Sequence, residues 1–133
     1  MTENSAGTVE PKGELAIRTL AMPADANPSG DIFGGWLISQ MDIAGGITAR
    51  ARAHGRVVTI AVTGFNFHKP VLVGDVVCCY TDIQKVGTTS ITIGIEAWAL
   101  RSHDAKDRIK VTEGVFTFVA LDAKGGKRPV PPE

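Results

Sequence analysis

The chain lacks most of what would place it on a membrane, outside the cell or on nucleic acid. No apolar run reaches bilayer length, and the opening MTENSAGTVEPK has no basic stretch leading into an apolar one, so neither a membrane span nor a signal peptide is expected. Neither sign of charge is in excess: 14 Lys and Arg balance 14 Asp and Glu. No global field therefore favours a polyanion or an anionic lipid surface, and any anion recognition has to be local. Only two cysteines occur, adjacent as Cys78 and Cys79 in a run that reads as a strand. Neighbouring strand side chains point to opposite faces and do not bridge each other, so reduced core thiols and a cytoplasmic location are expected. The three histidines, His54, His68 and His103, have no Cys, His or carboxylate beside them at ligand spacing, so no metal site is expected.

What remains is a chain of 133 residues that fits one domain with a packed core. Residues 1–13 are polar and aperiodic, and the end, KGGKRPVPPE, is rich in Gly, Lys and Pro. Flexible tails are expected at 1–13 and 122–133, around a folded unit at 14–121. Glu14 to Met22 reads as a first strand and gives way to a loop of turn formers, PADANPSGD, long enough to suggest function. From Gly34 or Gly35 to Ala53, GGWLISQMDIAGGITARARA has no proline and no β-branched run, which predicts a helix of about five turns. Being apolar around most of its circumference, it should be buried on several sides, with Gly55 as its stop. Strands are then predicted at Val57–Phe67, Asp75–Lys85, Thr89–Leu100 and Ile109–Leu121, separated by turn residues. Short connections suggest that these four form an antiparallel meander curved around the helix. One helix against one sheet leaves an edge uncovered, so at least a dimer is expected, pairing sheet edge to sheet edge.

Asp42 is the only charge in that helix before Arg50. A carboxylate at that depth needs a partner or a function, because an unpaired buried charge is costly. A structural salt bridge or hydrogen bond to another segment, and a general base, are both open at this point. Gly45 and Gly46, on the same face, clear one flank of it. Each helical glycine costs about 1 kcal/mol relative to alanine, so something should approach closely there, whether substrate, strand or a partner's helix. Gly34 and Gly35, at the helix start, would let a ligand carbonyl reach N–H groups that have no helical partner; they fit an oxyanion hole and equally a plain glycine turn. Ser39 and Gln40 are candidates to position water. For a phosphate-bearing ligand, the strongest local feature is Lys85 with Gly87, Thr88, Thr89 and Ser90, which offers a cation, amides and hydroxyls in one turn. Arg56, Lys69 and Arg101 lie near strand ends, where a solvated surface charge is the plainer reading. Glu113 falls in phase with Ile109, Val111 and Val115, as a buried carboxylate that the active site could share.

Taken together, NPSGDIFGGWLISQMDIAGG, AHGRVVTIAV, FHKPVLVGDVV and KVGTTSITIGIEAW, in this order, resemble the bacterial YciA-like acyl-CoA thioesterases, relatives of the cytosolic acyl-CoA hydrolases of animals. The resemblance covers about residues 14–121. It implies an α+β hot-dog fold, hydrolysis of acyl-CoA to free acid and CoA without metal or cofactor, and dimers that assemble as a trimer of dimers. It also implies that Asp42 is the general base or nucleophile, that Asn27 assists from the other subunit, and that Gly34 and Gly35 present the oxyanion-binding N–H. Many relatives carry His where Phe33 stands here, so a His-assisted mechanism is not implied. A hot-dog dehydratase would need a His near the helix, and a non-catalytic acyl-CoA sensor would have no use for Asp42.

Overall fold

The structure, a computed structural model, describes residues 10–102 and 107–133; His103 and residues 1–9 lie outside them. Strand β1 (Glu14–Leu20) is followed by a short 3-10 turn at Pro23–Asp25, helix α1 (Gly34–Ala53), and strands β2 (Val57–Phe67), β3 (Val76–Val86), β4 (Ser90–Leu100) and β5 (Arg108–Ala120). All five strands form one antiparallel sheet in the order β1-β3-β4-β5-β2. The sheet wraps a single long helix, which is the hot-dog arrangement. Among the described residues no helix is long and apolar enough to cross a membrane.

The four-strand meander is corrected in one respect. β3, β4 and β5 do follow one another, but β2 pairs with β5 at the far edge, with Val57 opposite Ala120. Chain leaving the C-terminal end of α1 enters the sheet beside β5, and the β2–β3 connection then crosses to the other side. β1 and β2 are consequently the two edges.

The core lies between α1 and the concave face of the sheet: Leu37, Met41, Ala44 and Ala49 meet Ile91, Ile93, Ile95, Phe116 and Phe118. Gly45 sits where the helix comes closest, since a Cβ there would lie 2.6 Å from Ile95 Cδ1 and 2.8 Å from the Phe118 ring. Burial is one-sided, however. Ile43 and Ile47 on the outer face of α1 stay 53% and 50% exposed, so the helix is not enclosed on several sides as its composition suggested. Its end is set by His54, which takes the left-handed conformation (φ 56°) ahead of Gly55.

A bulge overturns the phase expected for Glu113. Ala97 pairs with Thr112 and Trp98 with Lys110, which leaves Val111 as the extra residue and turns Glu113 to the outer face. There it binds Lys110 Nζ (2.8 Å) and His68 Nε2 (2.8 Å). Burial alone would raise this carboxyl, but the two hydrogen bonds and the neighbouring charges outweigh it and hold Glu113 below its usual range. The cysteines are free and buried, and desolvation pushes the Cys79 thiol up to about 12.

The C-terminal segment, expected as a flexible tail, is fastened across the end of the sheet. Leu121 bridges Lys127, Arg128 Nε donates to the Leu121 carbonyl (2.9 Å) and its Nη2 to the Ala53 carbonyl at the end of α1 (2.8 Å). Val130 N–H donates to the Thr88 carbonyl (2.8 Å), and Arg52 Nη1 to that of Pro131.

Candidate active site

The loop before α1 is built rather than irregular. Ala26 bridges Ile32, and the Asn27-Pro28-Ser29-Gly30 turn is closed by Gly30 N–H to the Asn27 carbonyl (3.0 Å). Proline pre-sets the second position of such a turn, and Gly30 has φ 93°. The Asn27 Oδ1 accepts from the Ser29 N–H (2.9 Å) and the Asp31 N–H (3.2 Å). That fixes the amide's orientation: with Oδ1 facing the loop, Nδ2 has no acceptor among the described residues. Phe33 N–H donates to the Asp25 carbonyl (3.0 Å), so the loop and the start of α1 form one unit.

At the N-terminus of α1 no side chain among the described residues caps the helix, and Gly34 and Gly35 are exposed. A Cβ on Gly35 would have nothing within 4 Å. Their N–H groups are open to an incoming acceptor at the positive end of the helix dipole.

Asp42 faces β2. Its Oδ1 accepts a 2.6 Å hydrogen bond from Thr59 Oγ1, and among the described residues its Oδ2 has no partner. The bond is short and charge-assisted, so it orients the carboxylate while one oxygen remains available. Among the described residues no salt bridge claims Asp42; of the structural partners expected for it, the hydrogen bond to another segment is the one present, from Thr59 on β2. Gly35, Ser39, Asp42 and Gly46 share one helical face. Ser39 is exposed, and a Cβ on Gly46 would meet nothing within 4 Å. The glycine pair therefore divides: Gly45 is small for the sheet, and Gly46 keeps open the groove beside Asp42.

Gln40 is turned the other way. Its Oε1 accepts from Thr19 Oγ1 (2.9 Å), tying α1 to β1. Thr48 and Thr81 make a similar tie, 2.7 Å apart. A cleft of about 800 Å³ between Ile47–His54 and Gly13–Ala16 opens on this β1 side and includes neither Asp42 nor Asn27. On the Asp42 side there is an open face without a second wall, bordered by β2, whose outer edge is unpaired. Val58, Ile60 and Val62 are 42%, 57% and 39% exposed along it.

The Gly87–Ser90 turn is tight. Gly87 N–H donates to the Ser90 carbonyl (2.8 Å), and a Cβ at Gly87 would lie 2.7 Å from Ser90 Oγ. The carbonyls of Thr88 and Thr89 are turned inward to Val130 and Ala120, and neither threonine's N–H donates within the described chain. Two free amides follow the exposed Lys85 within four residues, the donor set of an anion-binding turn in kind. Register puts this turn at the same end of the sheet as Asp42: Thr59 pairs with Phe118 and Phe118 with Ile91, two inter-strand spacings or about 10 Å apart. Arg56 and Lys69 are exposed, near the ends of β2, and neither forms an ion pair among the described residues. Arg101, by contrast, is committed to the buried Asp75, with Nε 3.2 Å from both carboxylate oxygens.

Thr59 escaped sequence reasoning. A threonine in a β-branched run reads as strand propensity, and only the pairing of β2 beneath α1 reveals its contact.

Comparison with known proteins agrees with this frame. A model of the thioesterase superfamily matches residues 29–105. The acyl-CoA thioester hydrolase YciA of Salmonella typhimurium is 58% identical over 123 residues, 91% of this chain and 92% of that protein. A hexameric thioesterase from Yersinia pestis superposes with a TM-score of 0.89 at 56% identity, covering 93% of this chain and 100% of that one. A hexameric broad-specificity acyl-coenzyme A thioesterase, solved as an aspartate-to-alanine mutant, superposes with a TM-score of 0.87 at 55% identity over 92% of this chain and 89% of that one. Likeness of this extent, on the same helix and sheet, makes the chain a member of the thioesterase superfamily, among its YciA-like acyl-CoA thioester hydrolases.

Proposed function

We propose that the protein hydrolyses acyl-CoA thioesters to a carboxylic acid and CoA, with Asp42 as general base. The observation that carries this reading is the Asp42 carboxylate held by Thr59 through one oxygen, with no partner for the other among the described residues and open space at Gly46 on the same helical face. In the proposed step, Oδ2 of Asp42 takes a proton from a water molecule, whose oxygen attacks the thioester carbonyl. The carbonyl electrons move onto oxygen, where helix N-terminal amides at Gly34 and Gly35 stabilise the charge, and their return expels the CoA thiolate. Gly35 lies two turns, about 10 Å, N-terminal to Asp42 on the same face. Direct attack of Asp42 on the thioester carbonyl, giving a mixed anhydride that water then opens, is the alternative route. Asn27 Nδ2 serves as a further donor to the water or the carbonyl. Water is the only co-substrate, and the step draws on no metal or cofactor.

Two features support a site shared between chains. The Asp42 flank lacks a wall, and the β2 edge beside it is both unpaired and apolar. A second copy docked there brings its own Asn27 loop and helix start, which move as one unit. We place this dimer within a trimer of dimers, as the hexameric structures similar to it suggest. The turn from Lys85 to Ser90 takes the phosphates of coenzyme A, with Arg56 and Lys69 as further cations near the strand ends.

The test is thiol release from a panel of acyl-CoAs. The buried cysteines, both with raised pKa values, should leave a thiol reagent to the product. Wild type should release thiol, and Asp42→Ala should lose about a hundredfold or more of the rate. A wild type that binds acyl-CoA without releasing thiol would make the protein a sensor instead.

A further inference from the structure

The C-terminal strap contacts the Gly87–Ser90 turn, whose Thr88 and Thr89 amides have no acceptor among the described residues. Its connections are specific. Arg128 is clamped between the last carbonyl of α1 and the carbonyl of Leu121, and Gly55 makes room for it, since a Cβ there would lie 2.9 Å from Nη2. With Arg128 fixed, Val130 comes under the β3–β4 turn and its N–H draws the Thr88 carbonyl inward. A peptide group is planar and trans, so its C=O and N–H point in opposite directions. Pulling the Thr88 carbonyl in therefore aims the Thr89 N–H out. Ala120 N–H holds the next carbonyl, that of Thr89, inward as well (2.9 Å), which removes a second acceptor oxygen from the path of an approaching phosphate.

We infer that the strap is a positioning element for the nucleotide end of coenzyme A, with Val130 as the residue that orients the Thr88–Thr89 peptide and Arg128 as its anchor. The inference rests on the reading of the Lys85–Ser90 turn as the phosphate subsite. Proline at 130 removes the N–H and exchanges a side chain packed against the core, in a segment already flanked by Pro129 and Pro131.

The experiment compares octanoyl-CoA with S-octanoyl-pantetheine, which carries the same thioester without the nucleotide and its phosphates. For Val130→Pro, KM for octanoyl-CoA should rise about fivefold, the scale of one hydrogen bond, with kcat and the KM for S-octanoyl-pantetheine unchanged. A chain ending at Arg128 keeps the anchor and should behave alike, which covers the case in which the proline variant folds poorly. If KM for octanoyl-CoA stays the same, or both KM values rise together, the inference is overturned. Lys85→Ala separates the two levels. Should it raise KM for octanoyl-CoA while the strap variants do not, only the strap's role falls; should it leave that KM untouched, the phosphate subsite falls and the strap's role with it.

Discussion

On the flank of α1 that faces β1 and β3, polar side chains are spent on each other. Gln40 takes the Thr19 hydroxyl, Thr48 meets Thr81, and the helix is stitched to the sheet. On the flank that faces β2, Asp42 engages Thr59 with one oxygen only, Gly35 and Gly46 leave space, and Ser39 stands exposed. Both flanks carry polar residues on an apolar helix, and burial alone would treat them alike. The difference lies in what is left over: the β1 flank has satisfied its groups within the chain, whereas the β2 flank has kept a carboxylate oxygen and open backbone.

The sharpest break of that comparison comes from exchanging one polar group on each flank. Asp42→Asn keeps the shape and should lower kcat about a hundredfold or more in the thiol-release assay. Gln40→Leu should change it less than about twofold while lowering stability by about 1 kcal/mol in urea titration. Equal losses would mean that the two flanks are not distinct. Next in size is Thr59→Val, isosteric but unable to donate. Loss of a hydrogen bond to a charged group should reduce kcat about tenfold, with folding intact by circular dichroism. The adjacent glycines give the smallest and most local contrast. Gly45→Ala forces a methyl onto Ile95 and Phe118 and should cost about 1–3 kcal/mol in a melting experiment. Gly46→Ala meets open space and should gain up to about 1 kcal/mol of helix propensity, while its KM for acyl-CoA rises because the groove narrows.

Some of this was legible in the sequence, and the limits have physical causes. Helix 34–53 follows from the absence of proline over that stretch, and each strand from its β-branched run. The partner of β2 does not, because connection length says which strands can be neighbours but not on which side of the sheet the chain re-enters after the helix. Asp42 stood out as a lone charge; its partner Thr59 did not, since a strand threonine has an ordinary reason to be there. Spacing put Gly45 and Gly46 on the same face of Asp42, but one step of 100° separates contact with the sheet from an open groove. Glu113 was misplaced by a single extra residue, Val111, which flips every side chain after it. The C-terminal segment has a tail's composition, yet Pro129, Pro131 and Pro132 also favour the extended conformation in which a strap can lie along a sheet end.

The central claim is that Asp42 and Thr59 of one chain work with Asn27 of another, and mixing two inactive variants tests it directly. Asp42→Ala removes the base. Asn27→Asp retains the oxygen that accepts from Ser29 and Asp31 but loses the free Nδ2 donor. Each variant alone should be nearly inactive. If the two chains are unfolded and refolded together in equal amounts, half of the dimers are mixed, and each mixed dimer has one site with both groups intact. The account predicts recovery to about a quarter of the wild-type rate of thiol release. A mixture no more active than its separate components would show that Asp42 and Asn27 do not meet across two chains, and would contradict the account.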